Sequence, residues 1–388
     1  MRKVLAVLVA TLVCVGISAQ NLADTLAQIG GFEPVGGNQV YFTKDGQEYL
    51  NLMLEDLRGA RQRISLEFYW FDTDDVGHEV RDLLIQKAQE GVKVRVLLDN
   101  LVTPLALDLF YQKMRRSGIE VLYAHDFSRL SLGQSVKTVW GERDHRKICV
   151  IDGRTGYTGG INFFHSAIYE WQDMGVRVEG PVAASMENFF AQGWEYSGGE
   201  GFSVEVPAGE GPVVAQVIPG WADGRIEDIY VTALRHAREY FYIQTPYYVP
   251  PQAVLEAMKA AARRGVDVRM LLEKSDHAYM DELARDYYEQ LLEAGVKIAV
   301  RQGVFDHSKV LISDHYLLGC GTLNLDKRSF NINLENMLFF YDREQADACT
   351  QLFLAMEAEA REARQGEHVA RGLRKAWRGF LHWLSPLL

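Results

Sequence analysis

The chain has 388 residues, of which 48% are hydrophobic and 24% charged, and it is long enough for two globular domains with their own cores. Its formal net charge of −11 argues against a protein that coats nucleic acid, because such proteins usually present a basic surface. The spacing of its cysteines fits neither a zinc site nor a disulfide framework; they are Cys14, Cys149, Cys320 and Cys349.

The N-terminus has the pattern of a targeting or anchoring segment. Arg2 and Lys3 precede an apolar run at residues 4–17, which is short for a membrane span and typical of a signal peptide. Because no charge follows until Asp24, residues 1–19 form either a cleaved signal peptide or a retained anchor. In both cases the positive end stays in the cytoplasm and the rest of the chain is exported.

Two stretches with the same order of predicted elements follow, at residues 38–200 and 213–357. In each, a strand runs into an aromatic loop, and the next helix ends at a glycine C-cap, Gly91 or Gly265. A buried-type strand, another helix and a third strand come next. Strands that alternate with helices predict an α/β fold, with a largely parallel sheet flanked by helices in each half.

Each half ends with one repeated pattern of polar residues. The first copy is His145, Lys147, Asp152, Gly159 and Asn162; the second is His307, Lys309, Asp314, Gly321 and Asn324. All matched pairs differ by 162 (307 − 145, for example), and the same offset relates Asp173 to Glu335. Because a fixed position matches by composition only about one time in twenty, six matches at one offset indicate a duplicated unit. The pattern predicts one active site assembled from two halves.

The repeated side chains suit a phosphate ligand. Residues two apart on a strand face the same way, so each histidine projects together with its lysine. Ammonium groups and the amides of Asn162 and Asn324 supply donors and positive charge for an oxyanion. We expect small residues just before the asparagines, at Gly160 and Thr322, to let backbone N–H groups approach the same phosphate.

Two histidines at one phosphodiester provide a complete mechanism that requires no metal and no cofactor. One imidazole attacks phosphorus to form a phosphohistidine, and the other transfers protons. Asp173 and Glu335 each lie 28 residues after the histidine of their own half (173 − 145 and 335 − 307), and are candidates for orienting the imidazoles. Asp152 and Asp314 complete the catalytic motifs. Their opposite strand parity indicates that they brace the turn before the return strand.

The C-terminal stretch, residues 368–388, contains no acidic residue and forms a basic amphipathic helix in projection. Its apolar face carries Leu373, Trp377, Phe380, Leu381 and Leu384, and its cationic face carries Arg371, Arg374, Lys375, Arg378 and His382. Such a helix lies either in a membrane interface or against the protein's own body.

The two motif copies resemble the signature of the phospholipase D superfamily: His-x-Lys, four residues, Asp, six residues, then Gly-[Gly/Ser/Thr]-x-Asn. Further stretches resemble bacterial cardiolipin synthases, at residues 162–173, 242–247, 275–277, 324–335 and 384–388. The resemblance covers residues 38–388. It implies two α/β/α lobes related by pseudo-twofold symmetry with the active site between them. It also implies His145 as the nucleophile and His307 as the acid and base.

The resemblance further implies phosphatidyl transfer, which makes cardiolipin from two phosphatidylglycerol molecules and releases glycerol. Hydrolysis of phospholipid to phosphatidic acid is the alternative, and a secreted nuclease is a third reading that the net charge disfavours. The expected partners are an anionic phospholipid and a membrane surface, with no nucleic acid and no obligate protein partner. The expected location is the bacterial cell membrane, with the lobes on the exported face.

Overall fold

The computed structural model describes residues 21–100, 108–124, 141–211, 213–221, 223–274, 278–370 and 372–384. The predicted signal peptide or anchor at 1–19, the stretch 275–277, Arg371 and residues 385–388 lie outside the described residues. Within the described ranges, no helix combines the length and the hydrophobicity needed to cross a bilayer.

The first lobe is built on a seven-stranded sheet with the order β1-β7-β6-β5-β2-β3-β4. Its strands are β1 (Gln39–Phe42), β2 (Arg63–Phe68), β3 (Lys93–Asp99), β4 (Glu120–Ala124), β5 (Lys147–Ile151), β6 (Thr155–Gly159) and β7 (Gly175–Glu179). Its helices are α1 (Gly46–Gly59), α2 (Asp75–Gln89), α3 (Asp108–Arg116), α4 (His165–Tyr169) and α5 (Pro181–Tyr196).

The second lobe repeats this plan. Its strands are β8 (Val214–Gly220), β9 (Tyr240–Thr245), β10 (Tyr248–Val249), β11 (Asp267–Leu272), β12 (Lys297–Val300), β13 (Val310–Ser313), β14 (Leu317–Gly321), β15 (Leu325–Asp326), β16 (Glu335–Tyr341) and β17 (Arg361–Glu362). The sheet order is β17-β12-β11-β9-β13-β14-β16-β8, and β10 pairs separately with β15. The helices are α6 (Arg225–His236), α7 (Gln252–Arg263), α8 (Ala278–Glu293), α9 (Lys327–Asn331), α10 (Arg343–Glu359) and α11 (Gly372–Leu384).

The prediction of two α/β lobes is confirmed, but each sheet is mixed rather than largely parallel. In the first lobe β2, β3 and β4 run parallel, whereas β5, β6 and β7 are joined by antiparallel pairs. The second lobe repeats the division, because β13 runs antiparallel to β9 and to β14. The reason is that each motif strand folds straight back into its return strand, and such a short connection permits only antiparallel pairing.

The two sheets face each other across a shared core. Alternate residues of the motif strands point to it, Ile148 and Val150 from β5 and Val310 and Ile312 from β13. Helices α5 and α10 contribute to the same core, while α1 to α3 cover the outer face of the first sheet and α6 to α8 that of the second. This packing fixes the two motif strands relative to one another.

The C-terminal helix α11 docks on α8 through part of its basic face. Arg378, predicted on the solvated cationic face, is only 2% exposed and donates from Nε to Glu282 at 2.9 Å. Leu381 is also buried, whereas Trp377 and Phe380 are 50% and 48% exposed, with ring centroids 5.8 Å apart. The helix therefore packs on the body and still presents two aromatic rings outward.

Candidate active site

The two motif histidines lie where the lobes meet, just before β5 and β13. The backbone N–H of His145 donates to the carbonyl of Leu334 at 2.9 Å, and that of His307 to the carbonyl of Gln172 at 2.7 Å. Leu334 and Gln172 differ by the same 162 residues as the histidines, so the two contacts are pseudo-twofold equivalents. Each motif segment is thus held by the backbone of the opposite lobe.

The candidate orienting acids contact the histidines in a crossed arrangement. His145 Nδ1 lies 2.9 Å from Oε2 of Glu335, and His307 Nδ1 lies 3.0 Å from Oδ2 of Asp173. Their spacing along the chain associated each acid with the histidine of its own lobe, and that pairing is wrong. Since each carboxylate occupies Nδ1, each imidazole retains Nε2 for chemistry.

Gly160 and Thr322 support these acids rather than a phosphate. The hydroxyl of Thr322 donates to Glu335 at 2.5 Å, and its backbone N–H is engaged by the carbonyl of Asn336 at 2.8 Å. At the equivalent Gly160, a Cβ atom would lie 2.5 Å from Oδ2 of Asp173. The predicted role of both residues in phosphate binding is therefore corrected. The longer acid is held by a hydroxyl, and the shorter acid fills the space that a glycine leaves.

Both histidines line one cavity of about 590 Å³, a volume in the usual range for small-molecule sites. Asn162 and Asn324 line it too, and their Oδ1 atoms are buried with no hydrogen-bond partner among the described residues. Because a buried amide without a partner is costly, and the oxygen and nitrogen of an amide can exchange places by a flip, these groups are suited to a polar ligand. The cavity thus has convergent imidazole and amide groups.

Burial and nearby charge determine the protonation of the site. Burial lowers the pKa of His145 well below its usual range and that of His307 to about 3, and neighbouring ammonium groups lower both further. Burial likewise lowers the pKa of Lys147 to about 7 and of Lys309 to about 8, and it raises that of Glu335 to about 7. In the empty cavity both imidazoles are therefore neutral at neutral pH.

A family model described as "Cardiolipin synthase, PLD-like domain" matches residues 53–194 and 230–357, the greater part of both lobes. The chain belongs to this phospholipase D-like cardiolipin synthase family. It is thus an enzyme of the phospholipase D superfamily, as the paired motifs predict.

Individual phospholipase D-like relatives agree with the family match. The chain is 33% identical to a cardiolipin synthase of Alkalihalophilus pseudofirmus over 341 residues, which cover 83% of this chain and 67% of the relative. It is 31% identical to the major cardiolipin synthase of Bacillus subtilis over 323 residues, 79% of this chain and 66% of the relative. The chain thus spans about two thirds of the length of these relatives.

A solved structure shares the phospholipase D-like fold. The phosphatidylserine synthase of Haemophilus influenzae superposes with a TM-score of 0.74 over 96% of this chain and 100% of that chain. Its sequence identity is 16%, so this likeness bears on the fold alone.

The lysines of the phospholipase D motifs lie behind the histidines. Lys147 and Lys309 are 0% and 1% exposed, and neither lies on the cavity wall. Lys147 Nζ donates to the carbonyl of His145 at 2.8 Å, and Lys309 makes the equivalent bond to His307. The lysines therefore supply positive charge from beneath the histidines.

The aspartates of the phospholipase D motifs are remote from the reacting groups. Asp152 accepts hydrogen bonds from the backbone N–H groups of residues 61, 62 and 63, and Asp314 from those of residues 238, 239 and 240. Both have a positive φ, 54° and 51°, at the turn that follows the motif strand. They are corrected from catalytic candidates to residues that join the turn to the start of β2 or β9.

The cavity wall also contains residues that the motif reasoning missed. Aromatic side chains line it, together with two arginines; the residues are Tyr69, Trp70, Phe164, Trp171, Tyr247, Tyr279, Arg143 and Arg328. The aromatic run at residues 68–71, directly after a predicted strand, was the available signal for the first of these. The arginines carry no such signal, because only folding brings them to one wall.

Proposed function

We propose that this enzyme transfers a phosphatidyl group between two phosphatidylglycerol molecules, making cardiolipin and releasing glycerol. The observation that carries the proposal is the crossed pairing of His145 with Glu335 and His307 with Asp173 at one cavity. It supports two imidazoles with defined tautomers whose Nε2 atoms serve a single phosphodiester.

The first half of the reaction forms a phosphatidyl-histidine. In the roles that the family resemblance implies, Nε2 of His145 attacks phosphorus, the P–N bond forms, and the P–O bond to the glycerol headgroup breaks. His307 donates its Nε2 proton to the departing oxygen, so that neutral glycerol leaves. The bound phosphodiester anion offsets the charge of Lys147 and Lys309, which raises the imidazole pKa values above those of the empty site.

The second half reverses these proton movements. A hydroxyl of a second phosphatidylglycerol gives its proton to His307 as its oxygen attacks phosphorus. The P–N bond then breaks and restores His145. The buried lysines stabilise the charge on the equatorial oxygens in both steps, and the amides of Asn162 and Asn324 are placed to donate to them.

The cavity wall supports a lipid acceptor over water. Trp70 and Phe164 lie 4.9 Å apart, and Phe164 and Trp171 5.1 Å apart, measured between ring centroids. Trp171 in turn lies 5.3 Å from the ring of His307. An aromatic wall of this kind accommodates acyl-bearing substrates and limits the approach of water to the intermediate.

We further propose that α11 rests on a membrane surface at the exported face. Its outward rings, Trp377 and Phe380, have the aromatic character found at membrane interfaces, and Lys375 is exposed beside them. The docking of the helix on α8 then places the surface close to the cavity, since Tyr279 and Met280 at the start of α8 line that cavity.

The deciding experiment incubates the purified full chain with phosphatidylglycerol vesicles. Cardiolipin with equimolar glycerol is the expected product, and phosphatidic acid alone would overturn transfer in favour of hydrolysis. His145→Ala and His307→Ala each abolish turnover, whereas His78→Ala, on the exposed surface of α2, is the matched control. Cleavage of DNA without lipid turnover would identify a nuclease instead.

A further inference from the structure

The pseudo-twofold symmetry of the site is broken at a position beside each motif histidine. The backbone N–H of Leu334 donates to the carbonyl of Arg143 at 2.8 Å, and the backbone N–H of Gln172 donates to the carbonyl of Phe305 at 2.9 Å. Arg143 and Phe305 therefore occupy equivalent positions, also 162 residues apart, although one is cationic and the other aromatic.

The symmetry is broken a second time in the short helices α4 and α9, which begin at equivalent residues. The second residue of α4 is Ser166, and that of α9 is Arg328. Arg328 Nη2 donates to the carbonyl of Gly141 at 2.8 Å, which holds the guanidinium against the segment that carries Arg143. Both exchanges add positive charge to the same side of the site.

The two arginines line the cavity that contains both histidines. Arg143 is only 6% exposed, and burial together with the nearby charge of Arg328 lowers its pKa below the usual range. The opposite wall is aromatic, since the ring of Trp171 packs 5.2 Å from Phe305. The cavity thus has one cationic side and one aromatic side, which a single symmetric phosphate does not require.

We propose that Arg143 and Arg328 bind the phosphate of the second phospholipid, the one whose hydroxyl accepts the phosphatidyl group. This inference rests on the proposed transfer reaction. Phosphatidylglycerol carries its own phosphodiester anion, and the histidine site takes only the phosphate that is transferred. A second phosphate in a largely aromatic cavity needs a cationic partner, and guanidinium groups match its oxygens.

A carboxylate also lies on this side of the cavity. Asp326 lines the wall, and its Oδ1 accepts the backbone N–H of Ser329 at 2.8 Å as the N-cap of α9. Burial raises the pKa of Asp326 to about 6, which reduces its opposition to an anion. The cationic character of the two arginines prevails on this side.

The test compares two acceptors that resolve the same phosphatidyl-enzyme. Full-length enzyme is supplied with phosphatidylglycerol vesicles and a fixed concentration of labelled glycerol. Cardiolipin formation uses the anionic acceptor, and incorporation of label uses the neutral one. For Arg143→Gln and Arg328→Gln, we expect the ratio of cardiolipin formation to label incorporation to fall about tenfold or more, as for loss of a charge-assisted hydrogen bond.

Controls separate this inference from the proposed function. Arg154→Gln, which alters an exposed arginine at the turn after β5, leaves the ratio unchanged. Arg143→Lys and Arg328→Lys retain charge, so we expect a smaller fall in the ratio, and they decide the matter if a glutamine variant does not fold. An unchanged ratio in the folded variants overturns the second-phosphate site. If the unmodified enzyme makes no cardiolipin, the proposed transfer itself fails.

Discussion

His307 and Asp173 are 134 residues apart in the chain, yet Nδ1 of the histidine lies 3.0 Å from Oδ2 of the aspartate. The equivalent pair, His145 and Glu335, is separated by 190 residues and lies at 2.9 Å. Each imidazole is therefore oriented by the opposite lobe, and neither lobe alone contains an oriented histidine. The lobes form one catalytic unit.

Removing either orienting carboxylate should impair catalysis without removing a reacting group. In Asp173→Asn and Glu335→Gln, an amide no longer fixes the tautomer or stabilises the imidazolium, so we expect turnover to fall about 10²-fold or more. Turnover is measured across pH, because loss of the carboxylate also changes the pH profile. Asp75→Asn is the control, since Asp75 pairs with the exposed His165 at 3.0 Å outside the cavity. Unchanged turnover and pH profile would contradict the crossed pairing.

Gly160 should not tolerate even one methyl group. In Gly160→Ala the added Cβ would lie 2.5 Å from Oδ2 of Asp173 and 2.8 Å from the carbonyl of His307, so the acid must move. We expect a loss of stability of about 1–3 kcal/mol and a fall in turnover of at least tenfold. Gly59→Ala is the matched control, because a Cβ at Gly59 meets no atom within 4 Å. Chemical denaturation and vesicle assays measure the two effects.

The motif aspartates should matter for folding more than for chemistry. Asp152→Ala leaves three backbone N–H groups without their acceptor, which we expect to cost about 1–3 kcal/mol in the free energy of unfolding. Asp152→Gly accommodates the φ of 54° and separates backbone strain from the lost hydrogen bonds. Turnover per folded molecule is expected to stay within a few fold of the unmodified enzyme. A stable but inactive variant would restore a direct catalytic role.

Lys147 should be retained for function at the expense of stability. Burial lowers its pKa in the folded state from 10.5 to about 7, so between pH 7 and 10.5 the unfolded chain binds the extra proton. The contribution of this lysine to stability therefore rises with pH across that window, and its charge is most unfavourable at pH 7 and below. We expect Lys147→Met to be inactive but to unfold at a temperature higher by about a few degrees at pH 7.

The same measurement at higher pH checks the sign of this effect. The gap in melting temperature between Lys147→Met and the unmodified enzyme should narrow as pH approaches 10, because the lysine is then neutral in the folded state. Lys44→Met, at an exposed position, should show no such trend. A gap that widens with pH would contradict the depressed pKa.

The outward rings of α11 should govern attachment to vesicles. Trp377→Ser with Phe380→Ser removes two exposed aromatic side chains, while Arg378 and Leu381 still dock the helix on the body. We expect vesicle sedimentation to weaken about tenfold, with hydrolysis of a soluble phosphodiester preserved. Leu352→Ser, at a 47% exposed position on α10, is the control. Unchanged sedimentation would show that α11 is not the attachment surface.

The sequence by itself determined the family, the two-lobed α/β plan and the residues of the repeated motifs. It could do so because the repeat is a local property: His, Lys, Asp and Asn recur at fixed spacing, and alternation along the strands shows which residues are buried. It also indicated a bracing role for Asp152 and Asp314 from strand parity. The mixed character of the sheets depended on how each motif strand folds back, which periodicity alone does not reveal.

Only the tertiary structure decided which acid serves which histidine. Spacing along the chain is the same within each lobe, so it cannot distinguish a pair within a lobe from a crossed pair. The facing sheets bring Glu335 to His145 and leave Gly160 beside Asp173, and these contacts follow from packing between lobes. The cationic side of the cavity has the same origin. Arg143 and Arg328 are distant in sequence, and a shared wall exists only once both lobes are folded and joined.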